Sequence, residues 1–340
     1  MQRTVAIRAD GGHEVGTGHL ARMLRLAGRL HGSGSRVTFV SRALDGCAEL
    51  FEGLPHGLIL LPPVAEGPSA RAATAACALG PDLVVNDVRD TSDEYMRALG
   101  TSGAQIVNFD DRGPGAGLAD LLVDANRLPD EADQVPNPAA LFGPDYMVLD
   151  EAFEQAHARP RRVRERVEEF LVFMGGSDPA GLTLRALGAL ELLGEAWHTS
   201  VVLGYGFRDR LEVEALAARL GNVEFVVGAR DLAPRMERAD LALCSGGIAM
   251  FELACVGTPS VVWCQVPHEV HNARLFSERG AVRCLGLGNG VTTEAAAEAL
   301  AGLADDGAAR RAMGEAGKRT VDGRGLTRVM EAIEQCVRHY

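Results

Sequence analysis

The sequence predicts an α/β protein built from two doubly wound, Rossmann-like domains with the active cleft between them. Short apolar runs alternate with longer stretches of helical spacing along the whole chain. The alternation breaks near residues 155–168, in a charged segment containing Pro160, and then restarts. Glycine turns directly follow several of the apolar runs. Strands that alternate with helices of this length form parallel sheets covered on both faces, and such sheets bind ligands at the carboxyl ends of their strands.

The elements justify themselves in order. TVAIRA reads as the first strand, and LARMLRLAGRLHGSG as the first helix, with apolar residues at helical spacing and a glycine stop. RVTFVSR, LILLP, PDLVVNDV, AQIVNFDD and DLLVDA continue as strands, with helices in ARAATAACALG and TSDEYMRALGTSG. QAHARPRRVRERVEEF fits a linker or an exposed helix. Beyond it the strands are EEFLVFMGG, HTSVVLGYG, NVEFVVG, DLALCSGG, TPSVVWCQV and AVRCLGLG. Helices run from Leu182 to Glu195, Arg208 to Leu220, Leu232 to Arg238, through IAMFELACVG, and from Asn272 to Glu278, and the stretch from Thr292 to Tyr340 is helical. The expected domains are residues 1–155 and 165–320, with 321–340 a C-terminal helix that packs back on the first domain.

Composition narrows the function. The chain has 340 residues, 47% of them hydrophobic, enough for two domains. Its formal charge of −12 argues against general nucleic-acid binding, which needs a basic surface. The seven cysteines form no C-x-x-C pair and no zinc-ligand spacing, so neither a disulfide framework nor a metal site is expected. Cys244, Cys255 and Cys264 sit in apolar runs and read as buried small hydrophobes. The chain opens straight into a strand, with no apolar leader and no bilayer-spanning stretch, so a cytoplasmic protein without an integral membrane segment is expected. No oligomeric state follows from the sequence.

The segment IRADGGHEVGTGHLARMLRLA is the most informative. Gly11, Gly12, Gly16 and Gly18 permit tight turns and close approach of a ligand. A dinucleotide loop is the plain alternative, yet the full G-x-G-x-x-G is absent and no acidic residue ends RVTFVSR. A polar cluster of Arg8, Asp10, His13, Glu14, His19 and Arg22 surrounds the glycines. His19 falls at a helix N-terminus, where the dipole disfavours the imidazolium form and keeps a neutral ring able to accept a proton. A helix cap is the competing role, and spacing alone leaves both open.

In the second half, Gly175, Gly176 and Ser177 follow a strand and can point amides at a phosphate, with Asp178 and Pro179 opening the next helix. Ser245, Gly246 and Gly247 repeat the arrangement. Glu252, one to two turns into that helix, can accept both hydroxyls of a ribose, although a solvated surface glutamate is the commoner fate. His268, His271 and Asn272 read as polar loop residues beside the cleft.

These residues together resemble the UDP-sugar hydrolases of pseudaminic-acid biosynthesis and their spore-coat-polysaccharide relatives. Those proteins share the GT-B fold with the UDP-GlcNAc transferase of peptidoglycan synthesis. The pattern R-x-D, glycine loop, G-x-G-H-x-x-R stands here as Arg8, Asp10, Gly16, Gly18, His19 and Arg22, and NFDDRG, FGPDYMVLDEAF, MGGSD and SGGIAMFELACVGTP also fit. The resemblance implies a GT-B enzyme that hydrolyses a UDP-activated diacetamido-trideoxy sugar to UDP and free sugar. By it His19 is the base for water, helped by Asp10, and no metal or cofactor takes part. It also implies that Gly175, Gly176, Ser177, Ser245, Gly246, Gly247 and Glu252 line the UDP site. Where the family has Asp-x-Tyr this chain has Asp87-Val88-Arg89, and where relatives carry glutamine and asparagine it has His271-Asn272. Both departures fall where the sugar is expected, which leaves the sugar open. A GT-B glycosyltransferase, using the same residues with an acceptor hydroxyl in place of water, is the alternative. Transferases with membrane-borne acceptors show an exposed apolar and basic patch in the first domain; none stands out here, although LPHGLILLPP is apolar.

Overall fold

The computed structural model describes residues 2–13, 16–44, 48–63, 69–127, 137, 139–208, 210–229 and 231–338. Glu14, one of the polar cluster above, and Cys47 lie outside the described residues. The chain forms two compact units, Met1–Leu149 with Arg324–Tyr340, and Asp150–Gly323.

Unit 1 is built on a parallel sheet of β1 (Thr4–Ala9), β2 (Arg36–Arg42), β3 (Gly57–Leu61), β4 (Leu83–Asp87), β5 (Gln105–Phe109), β6 (Leu121–Asp124) and β7 (Ala140–Phe142), in the order β3-β2-β1-β4-β5-β6-β7. β1, β4 and β5 are buried along their whole length, as strands covered on both faces must be. Alternate residues serve opposite layers. Val5, Ile7, Val85 and Val107 pack under α1 (Gly18–Gly32) and α12 (Gly325–Arg338). Ala6, Val84 and Ile106 pack under α2 (Ala70–Cys77) and α3 (Asp93–Gly100). Leu326, Val329, Met330 and Ile333 of α12 recur at helical spacing and are buried in the first layer. β3 is an edge strand on which Leu60 is exposed.

Unit 2 repeats the plan with β8 (Glu169–Phe173), β9 (His198–Leu203), β10 (Val223–Val227), β11 (Leu241–Cys244), β12 (Ser260–Cys264) and β13 (Arg283–Leu287), ordered β10-β9-β8-β11-β12-β13. α5 (Leu182–Leu193), α6 (Arg210–Leu220) and α10 (Thr293–Ala304) cover one face. α8 (Ile248–Val256) has no polar face apart from Glu252 and is buried from Ala249 to Val256. Around α8 pack α4 (Glu151–His157), α7 (Leu232–Arg238) and α11 (Gly307–Thr320). Gly314 lets α11 close on α8, since a Cβ there would stand 2.4 Å from the Gly257 carbonyl oxygen. Cys244, Cys255 and Cys264 are buried.

Most expected strands and helices are present, and the differences have local causes. The segment read as a linker or exposed helix starts with α4, whose Phe153 and Ala156 are buried. Its arginines then strap it to unit 2: Arg161 donates to the Glu237 carbonyl at 2.8 Å, and Arg164 pairs with Asp240 at 2.8 Å. Arginine-rich composition here marks anchoring rather than solvation. The helix expected from Asn272 starts earlier, as α9 (Pro267–Glu278), because Pro267 suits the first helical turn. β7 is three residues long, too short for any periodicity to announce it.

Candidate functional site

Both sheets reverse their strand order beside the first strand, between β1 and β4 in unit 1 and between β8 and β11 in unit 2. Such a reversal is the usual ligand position in an open α/β sheet, at the carboxyl ends of the strands. Arg8, Asp10, His19, Arg22 and Asp87 lie at the first of these places, and the Gly175–Ser177 and Ser245–Gly247 turns follow β8 and β11 at the second.

In unit 1, Arg8 is buried near the end of β1 and grips Asp10 with both terminal nitrogens, at 2.5 and 2.8 Å. Asp10 also accepts from the Arg42 backbone at 2.9 Å and from Arg42 Nε at 2.6 Å. Burial pushes the Asp10 carboxyl up, but the hydrogen bonds and charges of Arg8 and Arg42 outweigh it and hold the group below its ordinary value. Asp10 thus ties the end of β1 to the end of β2. The loop then closes on itself through Gly12 N and the Gly16 carbonyl at 3.0 Å. Gly16 has φ +77°, a conformation that favours glycine.

His19 and Arg22 lie three apart on the first turns of α1, so one helix face presents both. That face meets Asp87, the last residue of β4 and the neighbour of Ala9 across the ladder. His19 Nδ1 is 2.7 Å from Asp87 Oδ1. Arg22 donates to the same carboxylate through Nη2 at 2.5 Å and Nε at 2.6 Å. Asp87 is fully buried, which by itself raises its pKa, yet the charges and hydrogen bonds of Arg22 and His19 pull it down to about 2. Asp87 is therefore ionised, and the short contact requires His19 Nδ1 to carry the proton it donates. Arg22 Nη2 also lies 3.3 Å from His19 Nδ1. Two donors make no bond, so this longer approach is a by-product of sharing Asp87. With Nδ1–H held by Asp87, Nε2 is left as the acceptor, on a side chain that is 28% exposed. Sequence reading assigned the partnering of His19 to Asp10; the structure gives it to Asp87, because Asp10 is committed to Arg8 and Arg42.

Arg22 continues inward. Its Nη1 pairs with Asp110 at 2.7 Å, and its guanidinium lies over the Phe109 ring at 5.6 Å. The next residue of NFDDRG has a different task. Asp111 accepts from the Thr91 amide and hydroxyl, the Gly113 amide and Asn108, fixing the turns after β4 and β5. Tyr95, an aromatic ring near the Asp87-Val88-Arg89 segment, is buried and donates to Asn86 at 2.9 Å.

In unit 2 the two glycine turns touch other loops closely. Gly175 has φ +82°, and a Cβ on Gly204, after β9, would stand 2.3 Å from the Gly176 carbonyl oxygen. Ser177 and Ser245 are buried. The amides that open α5 are already used: Asp178 accepts from Leu182 at 2.8 Å and Thr183 at 2.7 Å. At the second turn Glu269, on α9, accepts from the Gly246 amide at 3.2 Å and the Gln265 amide at 2.7 Å. Burial raises the pKa of both Asp178 and Glu269 against these hydrogen bonds. Gln265 joins the turns, accepting from Ala180 N at 3.0 Å and donating to the Met174 carbonyl. The protein's own carboxylates thus occupy part of the amide set that the glycine pattern offered to a phosphate. Glu252 is buried in α8, not solvated, and Asn272 is buried beside exposed His271 on α9.

Asp110, Arg42, Gln265 and Glu269 were not read as site residues. NFDDRG and the acidic ends of β4, β5 and β6 were the available signal for the first, while Glu269 had none beyond its place between His268 and His271.

No family model matches the chain. It is 28% identical, over 337 residues and 97% of each chain, to the spore coat polysaccharide biosynthesis protein SpsG of Bacillus subtilis strain 168. Among solved structures it is similar to MurG of Acinetobacter baumannii, with a TM-score of 0.66 at 15% identity, covering 98% of this chain and 99% of that one. The structure of LpCGTa in complex with UDP gives a TM-score of 0.61 at 15% identity over 98% of this chain and 99% of that one. The protein has the fold of these GT-B enzymes: two parallel-sheet, Rossmann-like α/β domains with seven and six strands.

Proposed function

We propose that the protein is a nucleotide-sugar enzyme of polysaccharide biosynthesis that transfers a glycosyl group from a nucleoside-diphosphate sugar, with His19 as general base. The observation that carries this reading is the His19–Asp87 couple at the β1/β4 reversal, with Nδ1–H held by a buried carboxylate on a partly exposed side chain. An ionised, buried carboxylate orients the ring and stabilises the imidazolium that forms when Nε2 takes a proton. In the reaction an acceptor oxygen attacks the anomeric carbon, and its proton passes to Nε2. The bond from that carbon to the diphosphate breaks, and the electron pair leaves on the diphosphate.

Unit 2 is assigned the nucleotide, through the Gly175–Ser177 and Ser245–Gly247 turns for the diphosphate and buried Glu252 for the ribose. Arg8, Asp10, Gly16, Gly18 and Arg22 shape the loop that presents His19. Asp87, His271 and Asn272 complete the assigned residues. The name of the Bacillus subtilis relative supports polysaccharide biosynthesis, and the UDP in a structural neighbour supports a nucleoside diphosphate.

Hydrolysis of a UDP-activated diacetamido-trideoxy sugar is the second reading, favoured by the R-x-D, G-x-G-H-x-x-R residues that stand together here as Arg8, Asp10, Gly16, Gly18, His19 and Arg22. Water then replaces the acceptor, and every other assignment holds. Incubating the protein with UDP- and TDP-sugars separates the two. Diphosphate release that depends on added acceptor supports transfer; release of free sugar without acceptor, at the same rate, supports hydrolysis. Absence of UDP and TDP binding by calorimetry would remove both.

A further inference from the structure

The row of charges behind His19 does not stop at Arg22. β5 and β6 are neighbours, with Phe109 opposite Val123, so Asp110 and Asp124 follow as the next pair across the ladder. Asp110 holds a left-handed conformation, φ 49°, and its amide donates to the Val123 carbonyl at 2.9 Å. A non-glycine residue in that region signals a side chain whose position is worth backbone strain.

The two carboxyls are buried side by side at the ends of these neighbouring strands. Asp110 Oδ2 accepts from Asn126 Nδ2 at 2.8 Å and from Arg22, whereas Asp110 Oδ1 is buried with no hydrogen-bond partner among the described residues. Asp124 Oδ1 accepts from the Asn126 amide at 3.0 Å, whereas Asp124 Oδ2 is buried with no hydrogen-bond partner among the described residues and lies 3.4 Å from Arg127 Nε and 4.0 Å from Arg112 Nε. Two buried carboxyls, neighbours across the ladder and each with an acceptor oxygen unpartnered among the described residues, call for a donor. Arg22, Arg112 and Arg127 already surround the pair with positive charge, which disfavours a metal cation. A proton meets the need without adding to that crowd.

We infer that Asp110 and Asp124 share one proton at neutral pH, and that this protonated pair is a positioning device that sets Arg22 and, through it, the Asp87–His19 couple. With the proton on Asp124 donated to Asp110 Oδ1, the pair carries one negative charge and balances Arg22 against Asp87. Losing the proton doubles the negative charge on the far side of Arg22 and draws the guanidinium away from Asp87. Burial, then the charge and hydrogen bond of Asp110, push Asp124 up to about 7 against Arg112 and Arg127, so the change falls near neutrality. The inference rests on the reading of His19 as the base only for its effect on turnover; the shared proton stands by itself.

The test uses the full-length protein. Infrared difference spectra with aspartate carboxyl labelling follow the carbonyl stretch of a protonated carboxyl across neutral pH, and histidine-selective NMR, assigned with His19→Gln, follows the His19 ring. The wild type is expected to show a protonated-carboxyl band that titrates out near neutrality, and a matching inflection in the His19 resonance. Asp124→Asn, whose amide still donates to Asp110, is expected to abolish both and to flatten the change in turnover that the wild type shows across that range. No such band in the wild type, a band that survives in Asp124→Asn, or a His19 titration identical in the two proteins overturns the inference. If the band and inflection behave as expected but His19→Gln turns over normally, the functional reading fails and the shared proton remains.

Discussion

The two units share one strand order and put different chemistry on it. At the reversal in unit 1 the strand ends carry a ladder of side-chain charges: Arg8, Asp10 and Arg42 on one side, His19, Asp87, Arg22 and Asp110 on the other. At the reversal in unit 2 the strand ends carry glycine turns whose groups are backbone amides, held by Asp178, Gln265 and Glu269. Topology fixes where a site forms, and the residues at the strand ends decide what it does. A charged ladder suits proton handling and orientation, because each member holds its neighbour's ionisation state. Amide turns suit a polyanion, and here they have built-in competitors.

Breaking the ladder has the largest expected effect. Asp87→Asn removes the charge that fixes the His19 tautomer and is expected to lower turnover by roughly 10²–10⁴-fold, leaving nucleoside-diphosphate affinity unchanged. Asp87→Ala leaves Arg22 buried with half its partners gone and is expected to cost about 3–5 kcal/mol, measured by denaturant unfolding. The sign with pH follows from the depressed carboxyl: its stabilising contribution is complete above its ordinary value of 3.8 and is lost as pH falls through about 2. Asp87→Asn lacks that acid limb.

A change in unit 2 is expected to act on binding alone. Glu269→Gln removes the resident negative charge at the Ser245–Gly247 turn and is expected to tighten UDP binding on the order of fivefold, about 1 kcal/mol. Because burial raises the Glu269 carboxyl, wild-type binding strengthens as pH falls through that raised range, and the variant lacks the dependence. An unchanged affinity in Glu269→Gln, read by calorimetry, would show that Glu269 does not compete with the diphosphate. The smallest expected effect lies in the unit 1 loop. A Cβ on Gly16 meets open space, so Gly16→Ala costs only the strain of φ +77°, roughly 1–2 kcal/mol, with no collision.

The same contrast governs what was legible. The glycine turns of unit 2 are local, and their place after strands is visible in a few consecutive residues. The G-x-G-H-x-x-R spacing likewise announces His19 and Arg22 on one helix face. The partner of that face is not local: Asp87 stands 68 residues from His19 and Asp110 lies on another strand, so the pairing depends on strand order, which no spacing encodes. Asp10 was the near candidate and Asp87 the real one for that reason. In NFDDRG the two aspartates look alike in sequence, yet Asp110 turns toward Arg22 and Asp111 toward Thr91. Glu269 escaped notice because a charged residue in a polar loop reads as surface, and only α9, which starts at Pro267, seats it on the Gly246 amide.

The central claim is that unit 1 supplies the base and unit 2 the nucleotide site. Measuring nucleoside-diphosphate release and UDP affinity together, in wild type and His19→Ala, tests it most directly. The account predicts that His19→Ala loses turnover by roughly 10²–10⁴-fold while binding UDP as tightly as the wild type. Turnover at the wild-type rate in His19→Ala would contradict it.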